Sequence, residues 1–276
     1  MTTFVDTTIQ VERVFADAKR RARLQTLLGA EENVVACSFS RLEFKRVVIQ
    51  NLALTLDYLI DEKSFWGAMN RACRLRSDRR VKMLVRILSW TGEQVEGRFQ
   101  VQKGEGIDRK LTLQSESYIR NAIEYLWHWF DAQVLTVVDK TECQRAREAP
   151  RKTRTGKWDL AIHERKCATQ KCRNALFIRE RLPQIRKLCR ELETLESSGR
   201  SITSELQIAL ATLQAVIKAS AFYKLYDYKQ CLAVGDVWIH LECAAAEIED
   251  FVTTNYKESE TLCPLLGLKM VTPEKP

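Results

Sequence analysis

The chain has 276 residues, of which 45% are hydrophobic, so it can bury one large core or two smaller ones. Ten glycines and five prolines are few for a protein rich in hairpins, and this scarcity favours long helices. The net charge of +8 disfavours a cationic partner and suits a polyanion such as RNA.

Cysteine usage and hydropathy indicate the compartment. Nine cysteines are an odd number, and they lack the spacing of a disulfide scaffold, which favours a reducing environment. The N-terminal residues do not form a basic region followed by an apolar one, and no apolar run reaches the ~20 residues that span a bilayer. We therefore expect a cytoplasmic protein that has no membrane partner.

The first third of the chain alternates between predicted strands and helices. Residues 2–9 are rich in β-branched side chains and are predicted to form a short buried strand. A polar helix from about Val11 to Leu28 follows, and then a second strand over Asn33–Cys37. Ser38 is the predicted N-cap of a long helix with an apolar stripe.

The middle of the chain is predicted to be mostly helical. A helix from Phe65 to about Leu88 has a basic face formed by Arg71, Arg74, Arg76, Arg79, Arg80, Lys82 and Arg86. The segment Val95–Leu113 is ambiguous, because its alternation around two glycines is compatible with a hairpin. Further helices are predicted over Tyr118–Val138 (rich in aromatic residues), Leu160–Arg181, Leu182–Ser197 and Thr203–Ala221.

Strands and helices alternate again near the C-terminus. A helix is predicted over Val234–Ile248, a strand over Phe251–Thr254, a short helix over Lys257–Leu265 and a last strand over Leu268–Val271. Alternation at both ends of the chain is typical of an α/β sheet. The simplest interpretation is a sheet closed by both termini, with a helical insertion between them.

Three carboxylates are predicted near the carboxyl ends of strands. Asp6 ends the first strand, Glu43 lies about one turn into the helix after the second strand, and Asp236 opens a late helix. Ligands of open parallel sheets bind at this edge. A hard divalent ion such as Mg²⁺ or Mn²⁺ would relieve repulsion between carboxylates brought together there. On spacing alone, an Asp that caps a helix and a Glu on a helix surface remain the alternative.

Four segments resemble the motifs of PIN-like nuclease domains in the order that this family has them. They are Phe4-Val5-Asp6-Thr7-Thr8, Cys37-Ser38-Phe39-Ser40-Arg41-Leu42-Glu43-Phe44, the helix Val234–Ala244 that opens with Gly235-Asp236, and Val252–Glu258 followed by Leu265–Leu268. Two positions depart from the pattern. Asn255 stands where many members have a fourth acidic residue, with Glu258 three residues further on, and Thr8 replaces the usual Asn.

The resemblance implies a fold and an activity. The fold is a PIN-like three-layer α/β/α arrangement with a central, mainly parallel sheet. Its nuclease core would comprise residues 1–64 and 222–276, and residues 65–221 would form a mostly helical, basic insertion. The implied activity is Mg²⁺- or Mn²⁺-dependent hydrolysis of single-stranded RNA by an endoribonuclease.

The resemblance also implies roles for individual residues. Asp6 and Asp236 would hold the metal ion, and Glu43 would complete its shell or orient the attacking water. Asn255 would position that water, with Glu258 as an outer ligand. His240, one turn after Asp236, either lines the site or is a buried helix histidine with satisfied ring nitrogens.

Cationic residues are candidates for binding RNA phosphates. Between Gln144 and Arg190 there are fifteen Lys or Arg residues against four Asp or Glu. Such a block suits a polyphosphate, although it is equally typical of a solvated segment. The predicted phosphate contacts are Lys45, Arg46, Arg151, Lys152, Arg154 and Lys157.

A structural zinc site is a further hypothesis. His163 and Cys167 share one helix face, Cys172 follows, and Cys143 or Cys189 would supply the fourth ligand. The alternative is that these are ordinary buried cysteines.

Two other functions remain open besides the nuclease. The chain is alternatively a non-catalytic RNA-binding or scaffold protein with a degraded PIN-like site, which the residue Asn255 favours. It is also interpretable as a toxin-like module bound by a protein partner, with the helical insertion as the docking surface.

Overall fold

The computed structural model describes residues 2–29, 33–99, 106–152, 158, 173–200, 202–219 and 228–273. The chain forms two compact units. Unit 1 comprises Met1–Glu43, Asp131–Glu148 and His163–Pro276, and unit 2 comprises Phe44–Phe130 and Ala149–Ile162. These boundaries differ from the predicted core of residues 1–64 and 222–276 and the predicted insertion of residues 65–221.

Unit 1 contains a five-stranded parallel sheet. Its strands are β1 (Thr3–Val5), β2 (Val34–Cys37), β3 (Thr136–Val138), β4 (Asp250–Val252) and β5 (Lys269–Val271). They are hydrogen-bonded in the order β3-β2-β1-β4-β5, and every neighbouring pair is parallel. The predicted α/β class with a parallel sheet is therefore confirmed.

The strands in the middle of the sheet are more deeply buried than those at its two edges. Strands β2 and β4 are buried along their whole length, whereas β3 and β5, at the two edges, are partly exposed. Lys269 lies on the β5 edge, where a charged side chain discourages pairing with another strand, and its Nζ lies 3.3 Å from Asp250 Oδ1. The sheet therefore has a dry centre and protected edges.

Helices follow β1 and β2 directly. They are α1 (Thr7–Phe15), α2 (Ala18–Leu28) and α3 (Ser38–Phe44). The single helix predicted from Val11 to Leu28 is wrong, because Asp17 starts a new helix by accepting the Arg20 N–H at 2.7 Å. Gly29 ends α2 with a positive φ of 67°.

Unit 2 is helical in its described residues. A π-helical segment (Lys45–Ile49) leads into α4 (Gln50–Glu62), followed by α5 (Phe65–Cys73), α6 (Asp78–Phe99) and α7 (Ile107–Ala132), whose last residues belong to unit 1. Helices α4, α5 and α6 pack on one another, with Leu52, Leu59 and Leu84 fully buried. Phe44 packs on Phe130, with ring centroids 5.2 Å apart.

The hairpin considered for Val95–Leu113 is wrong. Helix α6 continues to Phe99, and α7 already includes Leu111–Leu113. Leu84, Leu88, Thr91 and Val95 are all fully buried. Their spacing of four, three and four residues is a helical period, which extends to Val95, the first residue of that segment.

Strand β3 was missed by the sequence analysis. It lies in a segment assigned to the aromatic-rich helix, and it pairs with β2, with Val137 beside Ala36. The Leu135 N–H donates to the Val34 carbonyl at 2.7 Å just before the strand begins. The predicted insertion therefore contains a strand of the central sheet.

The remaining helices belong to unit 1. They are α8 (Gln144–Arg147), α9 (Asn174–Glu180), α10 (Leu182–Ser197), α11 (Ser204–Lys218), α12 (Tyr228–Ala233), α13 (Gly235–Ala245) and α14 (Tyr256–Leu266). The core they share with the sheet includes Phe4 and Phe251 of the central strands and Trp238 of α13, all fully buried. No helix in the described parts of the chain is long and apolar enough to cross a bilayer.

Candidate active site

The order of the strands defines one edge of the sheet as a candidate site. From β1 the chain moves to β2 and β3 on one side, and then returns to β4 and β5 on the other. Open α/β sheets bind ligands outside the carboxyl ends of the strands where the order reverses in this way. Here that point lies between β1 and β4, where Val5 pairs with Val252.

Asp6 lies at this point and is held by four hydrogen-bonding groups. Its N–H donates to the Val252 carbonyl at 3.0 Å. Its carboxylate caps α1, because Oδ1 accepts the Thr7 N–H at 2.6 Å. Oδ2 accepts the hydroxyls of Thr8 at 2.9 Å and Thr253 at 2.7 Å. The side chain is therefore fixed in one orientation although it is almost fully buried.

Two threonine hydroxyls connect the ends of β1 and β4. While Thr253 donates to Asp6, its Oγ1 accepts the Asn255 N–H at 2.8 Å. Thr8 also donates to Asp6, and its Oγ1 accepts the Thr254 N–H at 3.1 Å. Each hydroxyl thus acts as donor and acceptor at once, which links the backbone after β4 to the carboxylate after β1.

Glu43 lies on α3 and faces the starts of α1 and α13. Its Oε2 accepts the Thr7 hydroxyl at 2.9 Å. Its Oε1 lies against Gly235, where an added Cβ atom would stand only 3.0 Å away. This close approach favours a glycine at position 235, because a Cβ there would oblige the Glu43 carboxylate to shift by a few tenths of an ångström. Glu43 thus lies beside the helix start that carries Asp236.

Asp236 follows in the first turn of α13 and is half-buried. Its backbone carbonyl accepts a hydrogen bond from His240 Nδ1 at 2.7 Å. Because a carbonyl can only accept, Nδ1 carries the proton, and Nε2 accepts the Ser259 hydroxyl at 3.1 Å. Burial lowers the pKa of His240 and keeps the ring neutral, so this residue supports α13 and α14.

Asn255 and Glu258 lie on the same edge, after β4. Asn255 occupies the position before α14, where its side chain makes no capping hydrogen bond. Glu258 is in the first turn of this helix and is buried. The backbone of Asn255 reaches Asp6 through the Thr253 hydroxyl.

The structure therefore brings the predicted acidic positions to one edge of the sheet. Thr7 links Asp6 to Glu43, and Glu43 lies against Gly235, the residue before Asp236. Within the described residues, however, no group of three or more His, Cys, Asp or Glu side chains is arranged to hold a metal ion.

The donor chemistry of this edge nevertheless fits a hard divalent ion. The side chains of Asp6, Glu43 and the neighbouring threonines present oxygen atoms, the ligand type that Mg²⁺ and Mn²⁺ prefer. Mg²⁺ commonly binds through one or two carboxylates, several waters and substrate phosphates. A complete cage of protein ligands is therefore not required.

Lys45 and Arg46, two of the predicted phosphate contacts, belong to unit 2. Lys45 is buried, with its Nζ 4.8 Å from the centroid of the Trp127 ring, and Arg46 is half-buried. The long alkyl chain of Lys45 packs into the helical core, so its ammonium group is not presented to a phosphate at the surface.

The predicted basic and zinc-binding residues are only partly described. Arg151 is exposed, whereas Lys152 pairs with Glu124 at 3.0 Å and lies over the Trp158 ring. The proposed fourth zinc ligands, Cys143 and Cys189, are buried. Arg154, Lys157, His163, Cys167 and Cys172 lie outside the described residues.

The sequence analysis assigned no role to four residues of unit 1 that the structure singles out. Thr7, Thr253 and Gly235 build the site, and their signal was a polar or small residue placed directly after a strand or at a helix start. The fourth is Glu242 on α13, which is fully buried and accepts no hydrogen bond of good geometry. Burial raises its pKa to about 8, and the backbone N–H of Lys140 offsets this only in part.

The fold and this edge define an α/β protein with an acidic, hydroxyl-rich site at the reversal point of a parallel sheet. Comparison with family models, with curated proteins and with solved structures gives no match.

Proposed function

We propose that the carboxyl edge of the sheet hydrolyses single-stranded RNA with the help of Mg²⁺ or Mn²⁺. The observation that carries the proposal is Asp6, a buried carboxylate at the reversal point of the sheet, fixed by Thr7, Thr8 and Thr253. An aspartate that only caps a helix needs no hydrogen bond from Thr253, which is 247 residues away in sequence.

The residues take their roles from these positions. Asp6 and Asp236 are the proposed metal ligands, and Glu43, fixed by Thr7, completes the shell or orients a water molecule. Asn255 positions that water, with Glu258 behind it. When bound, the ion would lower the pKa of water and neutralise charge that develops on the scissile phosphate.

The strand order supports a PIN-like, three-layer α/β/α arrangement as part of the same proposal. Parallel neighbours need crossover connections, and these are right-handed in nearly all proteins. A sheet that grows first on one side of β1 and then on the other consequently has helices on both faces.

A second candidate is an RNA-binding protein with this fold that does not cleave. Both carboxylate oxygens of Asp6 already accept hydrogen bonds, and an amide stands at position 255. In this case the acidic edge has a structural role and the protein binds RNA without metal-dependent chemistry.

A cleavage assay separates the two candidates. The wild-type protein should cut single-stranded RNA with Mn²⁺ or Mg²⁺, and Asp6→Asn or Asp236→Asn should abolish cutting. Asp17→Asn is the matched control, because Asp17 also caps a helix, in the same extended conformation, but on α2. Binding without cleavage, or activity that survives Asp6→Asn or EDTA, would refute the nuclease.

A further inference from the structure

The turn between α5 and α6 presents a cluster of cations in unit 2. We call Arg74–Lys82 the basic turn. It contains five Lys or Arg residues and one acid, Asp78. Arg74, Arg76, Arg80 and Lys82 are exposed, and the Ser77 hydroxyl caps the start of α6 by accepting the Arg80 N–H at 3.5 Å.

The four exposed cations lie within nine consecutive residues, and among the described residues no carboxylate lies within ion-pair distance of any of them. Arg71, only three residues before the turn, pairs with both Asp61 at 3.1 Å and Glu62 at 3.3 Å. Within the described residues this positive charge is therefore not compensated by ion pairs, which favours an anionic partner there.

An exposed aromatic residue shares a face of α5 with Arg74, the first residue of the basic turn. Trp66 is 58% exposed, and it is the only large hydrophobic residue so exposed in the described parts of α5 and α6. Trp66, Asn70 and Arg74 follow one another at intervals of four residues, and all three are exposed. This face extends about 12 Å from the indole to the first arginine.

The start of α5 is fixed, so Trp66 is presented by a rigid element. Asp108 Oδ1 on α7 accepts the Phe65 N–H at 2.9 Å. The Ser64 hydroxyl caps the helix by accepting the Gly67 N–H at 2.9 Å. The Phe65 ring packs edge-on against the indole of Trp66, with centroids 5.6 Å apart.

We propose that this face of unit 2 binds single-stranded nucleic acid, with a base stacked on Trp66 and phosphates along the basic turn. Aromatic stacking beside a cationic track is how proteins bind single strands without sequence preference. A lipid surface fits less well, because an interfacial helix needs a broad apolar face and this one offers a single exposed aromatic residue. The choice of RNA over DNA rests on the proposed function.

Binding of a short fluorescent oligouridylate to the full chain in EDTA tests the proposal. Replacing Arg74, Arg76, Arg80 and Lys82 by Ser should weaken binding about tenfold or more. It should also reduce the slope of log K against log salt by about 0.7 for each phosphate that the variant no longer neutralises. Trp66→Ala should weaken binding about fivefold to a hundredfold, whereas Trp66→Phe retains most of the affinity.

The matched control removes the same charges elsewhere. Lys19, Arg21, Arg200 and Lys218 are equally exposed and lie outside both the basic turn and the block between Gln144 and Arg190. Replacing these four cations by Ser should leave the salt slope unchanged. Three results would overturn the proposal. They are an equal effect of both sets of substitutions, an unchanged slope of log K against log salt in the basic-turn variant, and binding to phosphatidylserine vesicles in place of RNA.

Failure of this proposal is distinguishable from failure of the nuclease. The EDTA assay reports binding alone, and cleavage by wild type is measured separately with Mn²⁺. If the basic-turn variant binds normally but wild type still cleaves, only the binding surface is refuted. Circular dichroism confirms folding of the multiple variant, and Trp66→Ala gives an independent answer if that variant does not fold.

Discussion

Hydroxyl groups decide how the carboxylate of Asp6 is held. Thr8 and Thr253 both donate to Oδ2. No sequence pattern shows that Asp6 meets Thr253, which lies 247 positions further along the chain. The sequence could predict Asp6 at a strand end, because β-branched residues precede it. It could not predict the contact with Thr253, which exists only because β1 and β4 are neighbours in the sheet.

Loss of the Thr253 hydroxyl should destabilise the fold. Thr253→Val keeps the shape of the side chain but removes one donor to a buried carboxylate, so we expect the free energy of unfolding to fall by about 1–3 kcal/mol. Urea denaturation measures this. Thr212→Val on the exposed side of α11, where the hydroxyl bonds only to the Ile208 carbonyl, should change it by less than about 0.5 kcal/mol. Equal losses would show that Asp6 does not depend on Thr253.

Glu242 should make stability depend on pH. Its pKa in the folded protein is about 8, above its ordinary 4.5, because burial disfavours the charge. The stability that the protonated carboxyl contributes is fully present below about pH 4.5 and is lost as the pH rises through about 8. Asp139, Lys140 and Arg181 also face this group and modulate its pKa.

The variant Glu242→Gln tests this dependence, because an amide stays neutral at every pH. Its advantage in unfolding free energy over wild type should grow by roughly 3–5 kcal/mol between about pH 5 and pH 9. Glu249→Gln, at an exposed position before β4, is the control and should show no such growth. If the unfolding free energies of wild type and Glu242→Gln changed in parallel with pH, the buried carboxyl would not hold a proton.

Among the secondary-structure elements, hydrophobic periodicity predicted most of the helices. It failed for strand β3, whose conformation depends on pairing with a neighbouring strand. Strand β3 has three residues and no glycine or proline before it, so the pattern assigned it to the preceding helix. It is a strand because β2 offers a free edge, which the Leu135 N–H joins. Conversely, α6 continues past Gly92, because its row of buried residues extends to Val95.

Two glycines at helical positions should respond in opposite directions to alanine. Gly235→Ala places a Cβ 3.0 Å from Glu43 Oε1, so Glu43 must move away from the start of α13. We expect it to reduce RNA cleavage and stability, by about 1–3 kcal/mol in unfolding free energy. At Gly92 the new Cβ meets only Phe65 at 3.5 Å, and alanine should stabilise α6 by about 0.5–1 kcal/mol. Unchanged cleavage in Gly235→Ala would show that the position of Glu43 is unimportant.

For the whole molecule, the sequence predicted the sheet at both termini and the positions of the acidic residues. It predicted a sheet core and a helical insertion but not the bounds of the two units, because residues far apart in the chain, such as those of β3 and α9–α11, return to the sheet unit. Local patterns report the period of an element and not its partner. Asp6 could be predicted as a site residue because it follows a strand directly, which is a local feature.

The position of a bound ion tests the central claim most directly. A crystal soaked in Mn²⁺ with a non-cleavable RNA should show an anomalous peak at the carboxyl edge of β1 and β4, about 2 Å from carboxylate oxygens of Asp6 and Asp236. The same soak of Asp6→Asn should lose this peak, and Asp17→Asn should keep it. RNA bound in wild-type crystals with no peak at this edge, or with a peak elsewhere, would contradict the metal-dependent site.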